Sequence, residues 1–187
     1  MRVVSILLLV FGVNSGLVSQ SFQSFQKMES CPDWKCLAEV LVVSGTSTRR
    51  DWSIPWRLPL RYSGYVSSRY GFRAHPILGA RKFHSGVDIA APTGSYVYAA
   101  GNGRARYAYD PSLGHHISVD HLNGFVSTYG HLSQVFISDL DLVKQGQVLG
   151  LVGESGLATG PHLHWSVTFR GRSVDPLLLR QFILTLF

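Results

Sequence analysis

Two short motifs, far apart in the chain, carry residues of the types that bind metal: His84-Ser85-Gly86-Val87-Asp88 and Gly160-Pro161-His162-Leu163-His164. Catalytic zinc is held by three protein side chains, mostly His and carboxylate, and the fourth tetrahedral position stays open to water or substrate. His84, Asp88 and one histidine of the second motif would complete such a set. The spacing also says what must carry them. Residues two apart share a face only where the side-chain period is two, so His162 and His164 call for an extended backbone. The step from His84 to Asp88 fits either period, but Gly86 and the following Ala91-Pro92 disfavour a long helix.

The surrounding elements read as strands. From Ser63 onward, short apolar or alternating runs are separated by glycine, proline and asparagine, the pattern of many short strands. The runs are Gly64 to Arg69, Val97 to Ala100, Gly103 to Tyr109, His116 to His121, Phe125 to Tyr129, Val148 to Val152 and His162 to Phe169. Asn123-Gly124 predicts a tight turn between two of them, because these residues accept positive φ. Alternation places Phe125, Ser127, Tyr129 and His131 on one face. It places His162, His164, Ser166 and Thr168 on another, with Leu163, Trp165, Val167 and Phe169 in the packing. One helix, Leu177 to Leu186, follows Pro176. The expected fold is mostly β, a single antiparallel sheet with a substrate groove and few short helices.

The chain has 187 residues, enough for one well-packed domain with accessories and too few for two large ones. Arg2 followed by an apolar run to Val13 resembles a secretory leader and is too short to span a bilayer comfortably. Residues 1–19 are therefore expected to be a signal peptide, 20–62 an accessory segment, 63–177 the catalytic domain and 178–187 a tail. Within the accessory segment, Trp52, Trp56, Leu58 and Leu60 are expected to tie it onto the core. Cys31 and Cys36 are the two cysteines, and in an exported protein a local disulfide between them is favoured. The net charge of +6 is spread in ones and twos, without the block that marks a nucleic-acid arm. It suits an anionic wall or membrane surface.

Several blocks, in order, resemble the lysostaphin-type or LytM-like zinc metallopeptidases that cleave peptides of bacterial cell walls. They are Ser68-Arg69-Tyr70-Gly71-Phe72-Arg73-Ala74-His75-Pro76, His84 through Gly94, Tyr129-Gly130-His131-Leu132-Ser133, Lys144-Gln145-Gly146-Gln147, and Gly153 through His164. The resemblance implies that His84, Asp88 and His164 ligate one zinc ion and that His131 and His162 are catalytic. The glutamate inventory agrees with histidine as the acid–base group. Glu29 and Glu39 lie in the accessory segment, Glu154 lies in a glycine-rich turn, and there is no His-Glu-x-x-His helix. Which of the two histidines takes the proton stays open. His75, His115 and His116 are candidates for substrate contact, and His121 for ordering the hairpin turn. The stretch Gly153 to Gly160 lacks the Lys-Ser/Thr ending of a phosphate loop and reads instead as a cleft-side loop.

The implied function is an exported zinc endopeptidase acting on peptidoglycan peptides, with no nucleic-acid partner and attachment to the envelope at most. Two other readings differ in chemistry. A scaffold that activates another wall hydrolase would have lost ligands, and a zinc carboxypeptidase would trim terminal residues.

Overall fold

The computed structural model describes residues 53–61, 64–74 and 81–185, which fall within one compact unit, Trp52–Phe187. The apolar run after Arg2, the cysteine pair, Trp52, His75 and Leu186 lie outside the described residues.

The chain's clearest alternation, from His162 to Phe169, forms the centre of the sheet. Twelve strands are described: β1 (Tyr65–Ser68), β2 (Gly71–Ala74), β3 (Arg81–His84), β4 (Gly86–Ala90), β5 (Tyr96–Tyr98), β6 (Gly103–Asp110), β7 (Gly114–Asp120), β8 (Phe125–Val135), β9 (Leu142–Val143), β10 (Val148–Val152), β11 (His162–Phe169) and β12 (Arg172–Val174). One helix, α1 (Pro176–Thr185), follows. Ten strands form one sheet with the path β1-β4-β11-β8-β7-β6-β9, to which β10, β5 and β12 attach. β2 and β3 form a separate two-stranded ribbon. Every pairing is antiparallel.

Leu163, Trp165 and Val167 of β11 are fully buried and Phe169 nearly so, while His162, Ser166 and Thr168 on the other face keep partial exposure. The core continues through Val87 and Ile89 of β4, Ile117 and Val119 of β7, and Leu179 and Ile183 of α1. Pro176 opens α1, and the Asp175 carboxylate accepts the backbone N–H groups of Leu177 and Leu178 at 2.9 and 3.3 Å. That is an N-cap followed by proline at the first helical position, the combination that starts helices cleanly. Ile54, Trp56 and Leu60 are buried and Leu58 is exposed. Arg180 donates to the Trp56 carbonyl, so the stretch around Trp56 is built into the domain.

Two local departures from the sequence reading matter. Positive φ in the β7–β8 turn falls at Leu122 (60°) and Gly124 (90°) and not at Asn123. The Asn123 side chain instead accepts the Phe125 N–H, and Asp120 accepts that of Leu122. The second departure lies in β8. Phe125, Ser127 and Tyr129 do share a face, but it is the core face, where all three are fully buried. His131 does not continue that row. His115 pairs with Leu132 and Ile117 with Tyr129, so Gly130 and His131 together face His116 alone. This is a β-bulge, which inserts one extra residue and re-aims the side chains beyond it. His131 takes φ 62° there, and Leu132 returns to the core.

Candidate metal centre and catalytic cleft

Three elements converge on the site. His84 ends β3, while Asp88 on β4 pairs directly with His164 on β11, so these two side chains leave neighbouring strands on one face. Gly86 allows the approach: a Cβ there would lie 2.6 Å from the Trp165 carbonyl oxygen and 2.9 Å from the His164 ring. The His84 Nδ1–H donates to the Arg69 carbonyl at 2.9 Å, which leaves the Nε2 lone pair facing inward.

The inward atoms form a tight triangle. His84 Nε2 lies 3.1 Å from Asp88 Oδ1, His84 Nε2 lies 3.2 Å from His164 Nδ1, and His164 Nδ1 lies 2.9 Å from Asp88 Oδ1. All three residues are buried. A tetrahedral ion with ligand bonds of about 2.0–2.1 Å spaces its ligands about 3.3 Å apart, close to these edges. The donor chemistry fits as well. Three lone pairs converge where a proton can satisfy only one pair at a time, and a divalent cation satisfies all three. Burial alone would raise the Asp88 carboxyl, but its contacts with the His164 and His84 rings hold it well below the usual carboxylate range. Its second oxygen, Oδ2, pairs with Arg73 Nη2 at 3.1 Å, fixing which oxygen turns inward.

The two remaining cleft histidines are oriented in the same way. His131 Nδ1–H donates to the Ser155 carbonyl at 2.8 Å and His162 Nδ1–H to the Gly160 carbonyl at 2.8 Å, so both rings present Nε2 to the cleft. Their centroids are 4.5 Å apart, and His131 lies 6.1 Å from the His164 ring. His162 Nε2 stands 3.8 Å from Asp88 Oδ1. Burial pushes the His131 ring down to about 4, opposed by its hydrogen bond to Ser155 and assisted by the neighbouring rings His162 and His164. It is neutral at physiological pH.

A cavity of about 200 Å³ opens over these groups, lined on one side by Arg73, Lys82 and Phe83 of the β2–β3 ribbon and on the other by Leu113 and Leu157. Leu157 N–H donates to Ser112 O, which joins the Gly153–Gly160 loop to the β6–β7 turn in one wall. That loop does more than flank the cleft. Its Ser155 carbonyl orients His131, and its Ser155 Oγ bridges the His115 N–H and the Leu132 carbonyl. Sequence reasoning missed Ser155, the Arg69 carbonyl and the Arg73 contact. All three lie in matched blocks, and Arg73, eleven residues upstream of His84, is the one of them whose side chain touches a candidate ligand. His115 stacks on Tyr107 and meets its hydroxyl at 2.7 Å, and His116 Nδ1 contacts the Gly114 carbonyl at 3.1 Å. Neither is among the residues lining the cleft. His121 is buried at the far end of β7, against Asn102 O and Ser127 Oγ.

Comparison with known proteins decides the family. The sequence profile of peptidase family M23 matches residues 82–176, half of the chain and the whole stretch from Lys82 to the start of α1. The chain belongs to peptidase family M23. A curated relative, the DD-carboxypeptidase/endopeptidase Mpg of Neisseria meningitidis serogroup B, is 38% identical over 120 residues, covering 64% of this chain and 27% of the relative. The chain thus spans about a quarter of the length of that relative. Among solved structures, a zinc-containing peptidase from Vibrio cholerae superposes with a TM-score of 0.59 at 35% identity, covering 65% of this chain and 38% of that one. The catalytic domain of the M23 protein EnpA from Enterococcus faecalis gives 0.57 at 32% identity, covering 65% and 95%. Membership in this metallopeptidase family implies a metal, and the His84–Asp88–His164 cluster is the group of residues that could hold it.

Proposed function

We propose that this M23 domain is an exported, zinc-dependent endopeptidase that hydrolyses peptide bonds in the stem or cross-link peptides of bacterial peptidoglycan. The observation that carries this reading is the buried triangle of His84 Nε2, Asp88 Oδ1 and His164 Nδ1, with two further histidines presenting Nε2 beside it. Held by that triangle, a zinc ion would supply Lewis acidity toward a peptide carbonyl and toward a water molecule.

The rest of the chemistry belongs to the chain. His131, kept neutral and with Nδ1 committed to Ser155, accepts the proton of the attacking water at Nε2. His162, held through Nδ1 by the Gly160 carbonyl, turns Nε2 toward the developing oxyanion as its hydrogen-bond partner. The backbone carbonyls of Ser155 and Gly160 fix both rings before substrate arrives, so little reorganisation accompanies the reaction. Support for the substrate comes from relatives named for peptidoglycan work, including the peptidoglycan DD-endopeptidase ShyC of Vibrio cholerae, 35% identical over 121 residues. Export rests on the Arg2-led apolar run and on the wall as a substrate outside the cytoplasm. A pair of cysteines able to close locally, Cys31 and Cys36, fits the same compartment.

Incubation of the zinc-loaded protein with defined cross-linked muropeptides, followed by mass analysis, tests the proposal. Cleavage at an internal bond into two peptides is the expected result. Release of a terminal residue alone would make it a carboxypeptidase, and intact substrate would favour a non-catalytic scaffold.

A further inference from the structure

The three candidate ligands are carried by two different pieces of structure. Asp88 and His164 sit opposite each other in the ten-stranded sheet, whereas His84 ends a ribbon that forms its own two-stranded sheet. Only Ser85 separates His84 from β4, and a side chain on so short a link still has several staggered rotamers open to it. Apolar burial does little to seat the ribbon, because Phe72 and Phe83 are 67% and 41% exposed. What aims the His84 ring is the Arg69 carbonyl, which accepts its Nδ1–H at 2.9 Å. Arg69 lies between β1 and β2 and belongs to neither strand. Tyr70, the next residue, supplies a tether. Its hydroxyl donates to the Ser173 carbonyl at 3.2 Å and meets the Ser173 hydroxyl at 2.7 Å, from which it can accept. Ser173 on β12 pairs with Thr168 of β11, the strand that carries His164. The Tyr70 ring also meets Phe83 edge-on, with centroids 5.0 Å apart and planes at 84°, and Phe83 is the residue before His84. One side chain therefore braces the peptide that orients the His84 ring and the aromatic residue that precedes it.

We infer that Tyr70 is a positioning residue for the metal: its hydroxyl clasp on Ser173 ties the ribbon to the sheet and so holds His84 where Nε2 completes the triangle. This rests on the metal centre of the proposed function and adds a residue outside its ligands and its proton-moving histidines. The physical reason is pre-ordering. A ligand that must be ordered when the metal arrives costs conformational entropy that a ligand already fixed has lost on folding. Without the clasp the His84 end of the ribbon has more arrangements in the metal-free protein, and the metal must select one of them. Groups that touch a ligand from behind are worth about 10–100-fold in metal affinity. Tyr70 acts one step further back, through a carbonyl and a ring, so the lower end of that range, about tenfold, is the expected size.

The test measures zinc affinity by competition with a chromophoric chelator, on the full chain and below the thermal melt of each metal-free protein. Tyr70→Phe keeps the ring against Phe83 and removes the clasp, and it is expected to bind zinc about tenfold more weakly than wild type. Ser173→Ala keeps the carbonyl acceptor and removes the hydroxyl, so a smaller loss of about threefold is expected. In the double variant the Ser173→Ala effect should vanish, because its partner is already gone. A tyrosine with a merely structural role would lower the thermal melt of the metal-free protein and leave the zinc affinity of the folded chain unchanged. Zinc affinity of Tyr70→Phe equal to that of wild type therefore overturns the inference, whatever its melt, and so does a Ser173→Ala effect that persists in the double variant. Should Tyr70→Phe fail to fold, Ser173→Ala decides in its place, and wild-type zinc affinity there overturns the inference. A wild-type chain that binds no zinc overturns the metal centre and this inference together. Clasp-dependent zinc binding in a chain that cuts no muropeptide leaves the role of Tyr70 standing and removes the peptidase reading instead.

Discussion

At the scale of single residues, the site separates side chains that could hold a metal from side chains that could move protons. His131 and His162 stand outside the ligand triangle, so His131→Ala and His162→Ala should each keep the metal and lose roughly 10²-fold or more in turnover, the usual cost of removing a positioned base or oxyanion donor. Near-normal muropeptide cleavage by either variant would refute its role. The protonation state of His131 gives a second check. Burial disfavours the charged ring, so the folded-state value lies near 4, below the ordinary 6.5. The acceptor form is therefore present above about pH 4, and proton uptake comes only as pH falls through that value. Nitrogen-detected NMR should show a neutral His131 ring with Nδ1 protonated at pH 6, and an imidazolium there would contradict the assignment. Spacing made His84, Asp88 and one histidine of the second motif legible as candidate ligands, and the family resemblance singled out His164 for that set and His131 and His162 for the chemistry. The groups that aim them were not legible, because the acceptors are backbone carbonyls of Arg69, Ser155 and Gly160, and every residue type carries a carbonyl.

At the scale of elements, β8 and β11 show where period-two reading succeeds and where it stops. In β11 the alternation is unbroken, and the buried row Leu163, Trp165, Val167 follows from it directly. In β8 the same rule would turn His131 into the core behind Tyr129. The bulge at Gly130–His131 adds one residue and turns the ring toward the cleft. Nothing in Tyr129-Gly130-His131 announces the added residue, since register is set by pairing with β7 and β10, which lie elsewhere in the chain. The bulge also places a non-glycine residue at φ 62°, a conformation that costs an L-residue about 1–2 kcal/mol. Consequently His131→Gly should be more stable than His131→Ala by about 1 kcal/mol, although both lack the ring. Denaturant unfolding of the two variants measures the difference, and equal stabilities would show that the backbone bears no strain at this point. The β2–β3 ribbon escaped the strand reading for a related reason. Its residues Phe72, Lys82 and Phe83 are exposed and carry no buried row to betray their period.

At the scale of the whole molecule, the ten-stranded antiparallel sheet and the membership in family M23 agree with the mostly-β expectation, because turn-rich spacing and alternation are properties of the whole chain that survive local errors. The fold brings together candidate ligands eighty residues apart, His84 at the end of the β2–β3 ribbon and His164 in the sheet, and within the sheet Asp88 and His164 form one direct register pair. The net charge of +6 finds a local counterpart in Arg73 and Lys82 on the cleft wall. The central claim is that His84, Asp88 and His164 hold one zinc ion and that the other cleft histidines do not. Elemental analysis of zinc bound per chain after exhaustive dialysis measures this directly. The account predicts one zinc per chain in the wild type and in the His131→Ala and His162→Ala variants, with most of the metal lost from His84→Ala, Asp88→Ala and His164→Ala. Zinc retained in full by any of the last three, or lost from either of the first two, would contradict it.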